Sequence, residues 1–439
     1  MAANSGSESQ FGWGYGIRAS SFGEAIRQGP VTNFFRFKSM SGVFAKRGYA
    51  QVENMDPSNQ KLKQTPVKAE IMPKFAMQPD VNSLQRLISH FCDKEPTIST
   101  PSGGTSSRQW VNTPREYGDA ANATYISRLF GEASDGDGYP VLIDNMALQE
   151  LSLKIEANKI VDATLAFMAC RDTFTSDATQ LVLGVGAYTR KPIIRGHWAQ
   201  ANVASTLKVK VTAVAGGGFD GTVKWTTAAY AGTTTRQIVF DTWYKLQLDD
   251  GLRLGVGPFE DVEFCFPSGA GTLTANDEWS FTSARTLATP SYSTLDPLIA
   301  AGLELTVASA TQYVRSAEIK LFRGLSVYFP AGSKYGLAVQ KAGDYGATIS
   351  FDRDRDDRDY LKRIISGEAF AVVAKLYGNR IEANIDEFLQ ISLPNMQVTD
   401  DQRDVTTANT LPEKIEASAH RSGSTDIFTV TSVGTLTAL

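Results

Sequence analysis

One pattern occurs twice in this chain. A strand-like stretch from Val67 to Met77 runs into Asp80 and the helical run Leu84-Gln85-Arg86-Leu87-Ile88-Ser89. Near the other end, a strand-like stretch from Ala347 to Phe351 runs into Asp357 and Leu361-Lys362-Arg363-Ile364-Ile365-Ser366. Leu84 and Leu361 stand 277 residues apart, and the same offset carries Asp80 onto Asp357. An internal repeat makes the unit of folding a module used twice. No catalytic constellation competes with it, so the pattern points to a building block and not to an enzyme.

At 439 residues the chain exceeds one ordinary core, and two to four domains are expected. Aromatic residues reach 10%, with 23 Phe and 15 Tyr; with the many Thr and Val they lean toward β structure. A formal net charge of −4 argues against a protein that wraps DNA with a basic surface. Cys92, Cys170 and Cys265 are far apart and form no CxxC pair, so a disulfide framework and a zinc knuckle are both disfavoured. The first ten residues lack a basic and an apolar signal region, and no apolar run reaches the roughly 18 residues of a membrane span. A reducing cytosol is the expected place of synthesis.

Residues 1–30 are rich in Gly, Ser and aromatics and read as an extended arm. Residues 31–172 read as a first β module. In it Phe35 and Phe37 alternate with Arg36 and Lys38, and Val67, Ala69, Ile71, Pro73 and Phe75 share one parity. Asp80 is the expected N-cap of a helix whose stripe is Leu84, Leu87, Ile88 and Phe91. Leu151, Leu153 and Ile155 face Val161, Ala163, Leu165 and Phe167 across a turn at Asn158, the pattern of an antiparallel hairpin. Residues 173–290 hold Trp198, Trp225, Trp243 and Trp279 in short alternating runs separated by turn signals. That is the signature of an inserted all-β sandwich. Residues 291–400 form the second module, with Leu361, Ile364 and Ile365 as its helical stripe, a stop at Gly367 and a turn at Gly378-Asn379. Residues 401–439 read as a polar carboxy-terminal arm or a few strands. The polar stretches Ala45–Pro66 and Gly332–Gly346 read as long loops.

The segment Phe351–Asp359 places Asp352, Asp354 and Asp356 like the first ligands of a calcium loop. Asp357 then occupies the glycine position and Arg363 that of the bidentate glutamate, so the match fails. Interleaved Arg353, Arg355 and Arg358 make it a charged strand feeding an acid-capped helix, with charges available to a neighbouring subunit. Gly184-Val-Gly186 lacks the third glycine and the βαβ unit of a dinucleotide site. Gly216-Gly217-Gly218 lacks the Lys-Ser/Thr of a phosphate loop. No catalytic, cofactor-binding or metal-binding residue is assigned.

The arm Gly12-Trp-Gly-Tyr-Gly16, the strand–helix sentence Val67–Ser89 and the closing strand Leu393-Pro-Asn395 together resemble the tail tube proteins of long-tailed bacteriophages. Gly221-Thr-Val-Lys-Trp225 and Asn276-Asp-Glu-Trp-Ser-Phe281 resemble the Ig-like domains that decorate phage structural proteins. The resemblance implies a mainly β chain with a few helices: two tandem tube modules, each a β-sandwich or barrel with a flanking helix, and an inserted Ig-like sandwich. It implies a structural subunit of the tail, assembled in the host cytoplasm. Since such rings hold six modules, two modules per chain imply a trimer of pseudo-sixfold symmetry, stacked into a tube. The expected partners are further copies, the tail terminator, tail-tip or baseplate proteins, the tape measure protein, and DNA sliding through without sequence-specific binding; no membrane and no cofactor are expected. A channel that lets DNA slide should be neutral to acidic. Two alternatives remain: another virion component, such as a capsid decoration or baseplate protein, or a carbohydrate-binding module using the insert's tryptophans.

Overall fold

The structure is a computed structural model. It describes residues 10–18, 25–27, 33–43, 46–51, 64–115, 129–134, 141–176, 178–182, 192–196, 207–211, 220–226, 231–237, 243–245, 263–266, 277–281, 290–329, 336, 338–354, 359–382, 384–403 and 412–437. The structure is mainly β, about 61% strand, and the described residues include two α-helices. In chain order, the amino-terminal part supplies β1 (Gln10–Arg18), β2 (Ser39–Ser41), β3 (Lys74–Met77), α1 (Val81–Cys92), β4 (Arg108–Asn112), β5 (Leu129–Ser134), β6 (Val141–Glu156) and β7 (Asp162–Met168). The middle supplies β8 (Arg171–Ser176), β9 (Ala178–Val182), β10 (Ile193–Gly196), β11 (Leu207–Val211), β12 (Asp220–Thr226), β13 (Ala231–Gln237), β14 (Trp243–Lys245), β15 (Glu263–Cys265) and β16 (Glu278–Phe281). The remainder supplies β17 (Leu303–Val307), β18 (Ser316–Tyr328), β19 (Ala338–Asp354), α2 (Asp359–Ser366), β20 (Phe370–Glu382), β21 (Ile385–Arg403), β22 (Pro412–Ala419) and β23 (Thr429–Gly434).

The alternation of apolar residues that the sequence shows is what the pleat needs. In β7 the residues Ala163, Leu165 and Phe167 are buried while Asp162 and Thr164 face out. Its hairpin with β6 sets Leu151 opposite Leu165, and Asn158 takes a left-handed φ of 62° in the connecting turn. Antiparallel pairing runs β2–β3–β7–β6–β18–β19–β22–β21. The β6–β18 contact joins the amino-terminal and carboxy-terminal parts in one sheet, with Leu153 opposite Ile319. Strand β21 is 19 residues long. Its first half pairs with β20 and β23, and β23 pairs with β4. Its second half pairs with β22, with a bulge between Val398 and Asp400.

Helix α1 closes the interior. Asp80 caps it, its Oδ1 accepting the Ser83 N–H at 3.0 Å. Leu84, Leu87, Ile88 and Phe91 are fully buried, and the helix packs on β6, β4, β21 and β23. One hydrophobic core runs from Phe11 through α1 and the β6–β7 hairpin to Ile415 and Val430. Phe11 and Trp13 belong to it, so residues 10–18 of the extended arm are docked by their aromatics, as a strand paired with β5. The polar carboxy-terminal segment, open on its sequence to both a few strands and an arm, forms strands. Residues 412–419 and 429–434 are interior strands, with Ile415 and Val430 fully buried. Thr429, Thr431 and Ser418 are half-buried, the two threonines between buried neighbours, while Ser432 is itself fully buried.

The two helices are unequal. Helix α2 spans only 8 residues. It is pinned by Tyr360, whose ring meets Phe351 and Phe370. The expected stripe faces solvent: Leu361 is 38%, Ile364 36% and Ile365 79% exposed. Gly367 ends the helix with φ 66°, as expected. The turn expected at Gly378-Asn379 is instead strand, because β20 continues to Glu382 with a register shift beyond Tyr377. Residues 338–346, expected within a loop, extend β19 against β18. Residues 52–63 of the other long loop lie outside the described residues, while Lys46–Gln51 and Gln64–Glu70 on its flanks pair as a hairpin.

In the inserted region β9, β16, β11, β12 and β13 form a five-stranded antiparallel sheet, and β8, β10, β15 and β14 pair in a second set. Phe266, just beyond β15, meets Trp279 of β16 with ring centroids 5.6 Å apart, which links the two.

Candidate assembly surface

The outward face of the central sheet is its largest shared feature, since strands of both parts build it. Burial alternates where β7, β6, β18, β19 and β22 pair, so the residues between the core positions line up in rows across the ladder. One row reads Asp162, Lys154, Glu318, Ser350, Glu416 and Asp400. The next reads Glu156, Ser316, Asp352, Lys414 and Gln402. A third carries Ala76, Thr164, Ser152, Lys320, Thr348 and Ser418. Carboxylates outnumber ammonium groups on this face, and opposite charges sit beside one another.

The pairs are local. Lys154 Nζ lies 2.6 Å from Glu156, which Lys159 also approaches. These two lysines hold the Glu156 carboxyl down to about 2, and Glu156 in turn raises Lys154. Lys414 is raised by its bond to Glu416 at 2.6 Å. Lys320 stands 3.1 Å from Glu318. Lys154, Lys320 and Lys414 are therefore partly neutralised by their own chain, which leaves the exposed Lys74, in the row of Phe322, as the lysine of this face with no ion pair of its own among these contacts. Phe322 interrupts the polar rows and is 40% exposed. It lies over Gly346, where a Cβ would come within 2.3 Å of the ring, an arrangement in which the aromatic covers backbone that lacks a side chain.

The charged segment Phe351–Asp359 resolves into two sides of β19. Asp352 accepts from Ser316 and Asp354 pairs with Arg315. Arg353 points inward, 4% exposed at the side chain, and makes an ion pair of 3.0 Å with the fully buried Glu413 of β22. Its guanidinium also lies 4.5 Å from the Tyr360 ring. Of the charges the sequence offers to a neighbouring subunit, Asp352, Arg353 and Asp354 are thus engaged within the chain; Arg355, Asp356, Asp357 and Arg358 lie outside the described residues. Among the described residues no group of three or more His, Cys, Asp or Glu is placed to hold a metal. None of their helices is long and apolar enough to cross a membrane.

At the other end of the molecule, the loop after Pro101 wraps a carboxylate. Glu382, at the end of β20, accepts the successive backbone N–H groups of Thr105, Ser106 and Ser107 at 2.8, 2.6 and 2.8 Å. The Ser106 hydroxyl, first, and these amides draw the Glu382 carboxyl down to about 2. Sequence spacing carries no sign of this contact, because the partners are more than 270 residues apart. The insert's Trp279, one of the four tryptophans considered for glycan stacking, is 1% exposed. The side chains of Trp198, Trp225 and Trp243 lie outside the described residues.

Compared with known proteins, the chain matches no protein-family model and no curated protein sequence.

Proposed function

We propose that the chain is a structural subunit of the tail tube of a long-tailed bacteriophage. It polymerises as stacked rings, three chains to a ring with pseudo-sixfold symmetry, around a channel that passes DNA. In this reading each chain gives the ring two tube modules, each with its strand–helix unit, and the inserted region is an Ig-like domain on the outside. Its partners are further copies, the tail terminator, the tail-tip or baseplate proteins, and the tape measure protein and DNA in the lumen. It resides in the virion tail after assembly in the host cytoplasm.

The observation that carries the reading is the broad polar sheet face, built by strands from both parts of the chain, on which acidic groups exceed basic ones and Lys154, Lys320 and Lys414 are paired with carboxylates of the chain. A wall of that kind gives a polyanion no row of free cations to bind, which is what a sliding conduit needs. In this reading the ends of the sheet, the three-residue β2 and the second half of β21, are completed by neighbouring copies through strand pairing, and a head-to-tail contact of that type closes into rings.

Negative-stain microscopy of the purified full chain tests the proposal. Hollow tubes, or rings with threefold symmetry and six lobes, are the expected images. Dispersed monomers at high concentration would overturn it and favour another virion component.

A further inference from the structure

A second feature lies apart from the sheet face, at the carboxyl end of α1. Arg323 of β18 is 5% exposed. Its Nε donates to the Leu148 carbonyl at 2.7 Å, and the guanidinium lies 5.5 Å from the Phe91 ring. Its Nη2 is buried and has no hydrogen-bond partner among the described residues. Burying a guanidinium without a carboxylate partner is costly, and folded chains rarely leave the cost unanswered.

Arg323 lines a cavity of about 60 Å³ with Lys341, Tyr345, Asp93, Leu325 and Val339. The groups nearby are already committed. The Tyr345 hydroxyl donates to the Cys92 carbonyl at 3.0 Å. That carbonyl also accepts the Arg115 backbone N–H at 2.9 Å. The Asp93 carboxylate is shared with the Arg115 guanidinium at 3.5 Å. Lys341 Nζ stands 5.5 Å from the Tyr345 ring and 3.8 Å from Asp344, whose side chain is 99% exposed. Of the residues lining the cavity, Arg323 and Lys341 are cationic and Asp93 is the carboxylate.

We propose that this cavity is a site for one small oxyanion, a phosphate or a carboxylate group, seated on Arg323 and closed from the solvent side by Lys341. The volume suits one such group or a few waters, and Nη2 of a guanidinium held by Leu148 and Tyr345 is a charged donor that an oxyanion would satisfy. The site belongs to the single chain and is independent of ring formation.

The test is thermal unfolding of the purified full chain in sodium phosphate, with sodium acetate in a parallel arm, at ionic strength held constant with sodium chloride. Wild type should show a Tm that rises with ligand concentration, as mass action on a native-state site requires. The arm with the larger rise identifies the class of oxyanion. Arg323→Met should lose the response and, without ligand, be at least as stable as wild type, because an unpaired buried charge is gone. Lys341→Gln should bind about tenfold more weakly, the worth of one charge-assisted hydrogen bond. If Arg323→Met fails to fold, Arg323→Lys, which keeps the charge and loses the fork, should show a reduced response. A flat wild-type response, an equal rise in wild type and the Arg323 variant, or a high-resolution map with only water in the cavity under saturating phosphate would overturn the assignment.

Discussion

At the scale of single residues, the buried charges decide more than the exposed ones. Arg353 and Glu413 sit together inside the sheet, and removing one partner strands the other in the interior. Glu413→Gln should cost about 3–5 kcal/mol in denaturant unfolding. The paired change Arg353→Met with Glu413→Leu should recover most of that loss, since well-packed apolar groups replace such pairs at little cost. Glu387 is the opposite case. It is 1% exposed, its Oε1 accepts the Asn379 N–H at 2.8 Å, and its other oxygen has no partner among the described residues. Burial, chiefly, raises its carboxyl above the ordinary value of 4.5, and Asp80 and Asp296 add to this. The folded state thus binds the proton more tightly than the unfolded chain. The contribution is complete below the unfolded value near 4.5 and is lost as pH rises through the folded value. Glu387→Gln should therefore unfold at a higher temperature than wild type at pH 7, and the two curves should converge at acid pH. Equal behaviour of the two proteins across this range would refute the buried-acid account. Gly378 explains why the residue fits: a Cβ there would stand 2.2 Å from Glu387 Oε1.

At the scale of elements, α1 and the loop held by Glu382 make separable predictions. Asp80→Ala should cost about 1 kcal/mol through the lost cap, and Leu87→Ala about 2–5 kcal/mol through the cavity it leaves beside β6 and β23. Ile365→Ser on α2, by contrast, should change unfolding free energy by less than about 0.5 kcal/mol, because 79% of the residue already faces water. The Glu382 carboxyl is lowered, so its hold on the Thr105–Ser107 amides is present above the unfolded value of 4.5 and is lost as pH falls through about 2. Hydrogen exchange at those three amides should be protected at pH 5 and become fast in Glu382→Gln; unchanged exchange would show that the loop holds itself. These elements also show what the sequence made legible. The α1 stripe, the Asp80 cap, the β6–β7 hairpin and the Gly367 stop were readable because period, cap chemistry and left-handed turn residues are local signals. The fate of Leu361 and Ile365 was not, since a helical stripe states that a face is apolar without stating what covers it. Gly378 misled because a glycine that clears space for a facing carboxylate reads the same as a turn glycine. The tail could be read either as strands or as an arm, because Thr and Ser suit the outward positions of β structure as well as they suit coil. The Arg353–Glu413 and Glu382 contacts left no sequence sign at all, being set by pairing between distant strands.

At the scale of the whole molecule, the sheet joined at β6–β18 presents one polar face whose charge can be rewritten without touching the core. Glu318 and Asp352 both point outward between buried neighbours, and Glu416 lies beside them on β22. Replacing the three with lysine should leave the core and the unfolding transition nearly unchanged, apart from the loss of pairs to Lys320 and Lys414, which as exposed pairs are each worth less than about 1 kcal/mol. The functional consequence should be larger. If the face lines a channel, wild-type assemblies should bind duplex DNA negligibly, while the triple variant should retain it. That binding should weaken steeply with salt, log K falling by about 0.9 per phosphate neutralised for each unit of log salt concentration. Filter binding across a sodium chloride series measures both quantities. Retention confined to variant assemblies, and absent from variant monomers, places the face inside a lumen. Equal retention by monomers and assemblies would put it on the outside of the particle, and the conduit reading would fail on geometry even if tubes form.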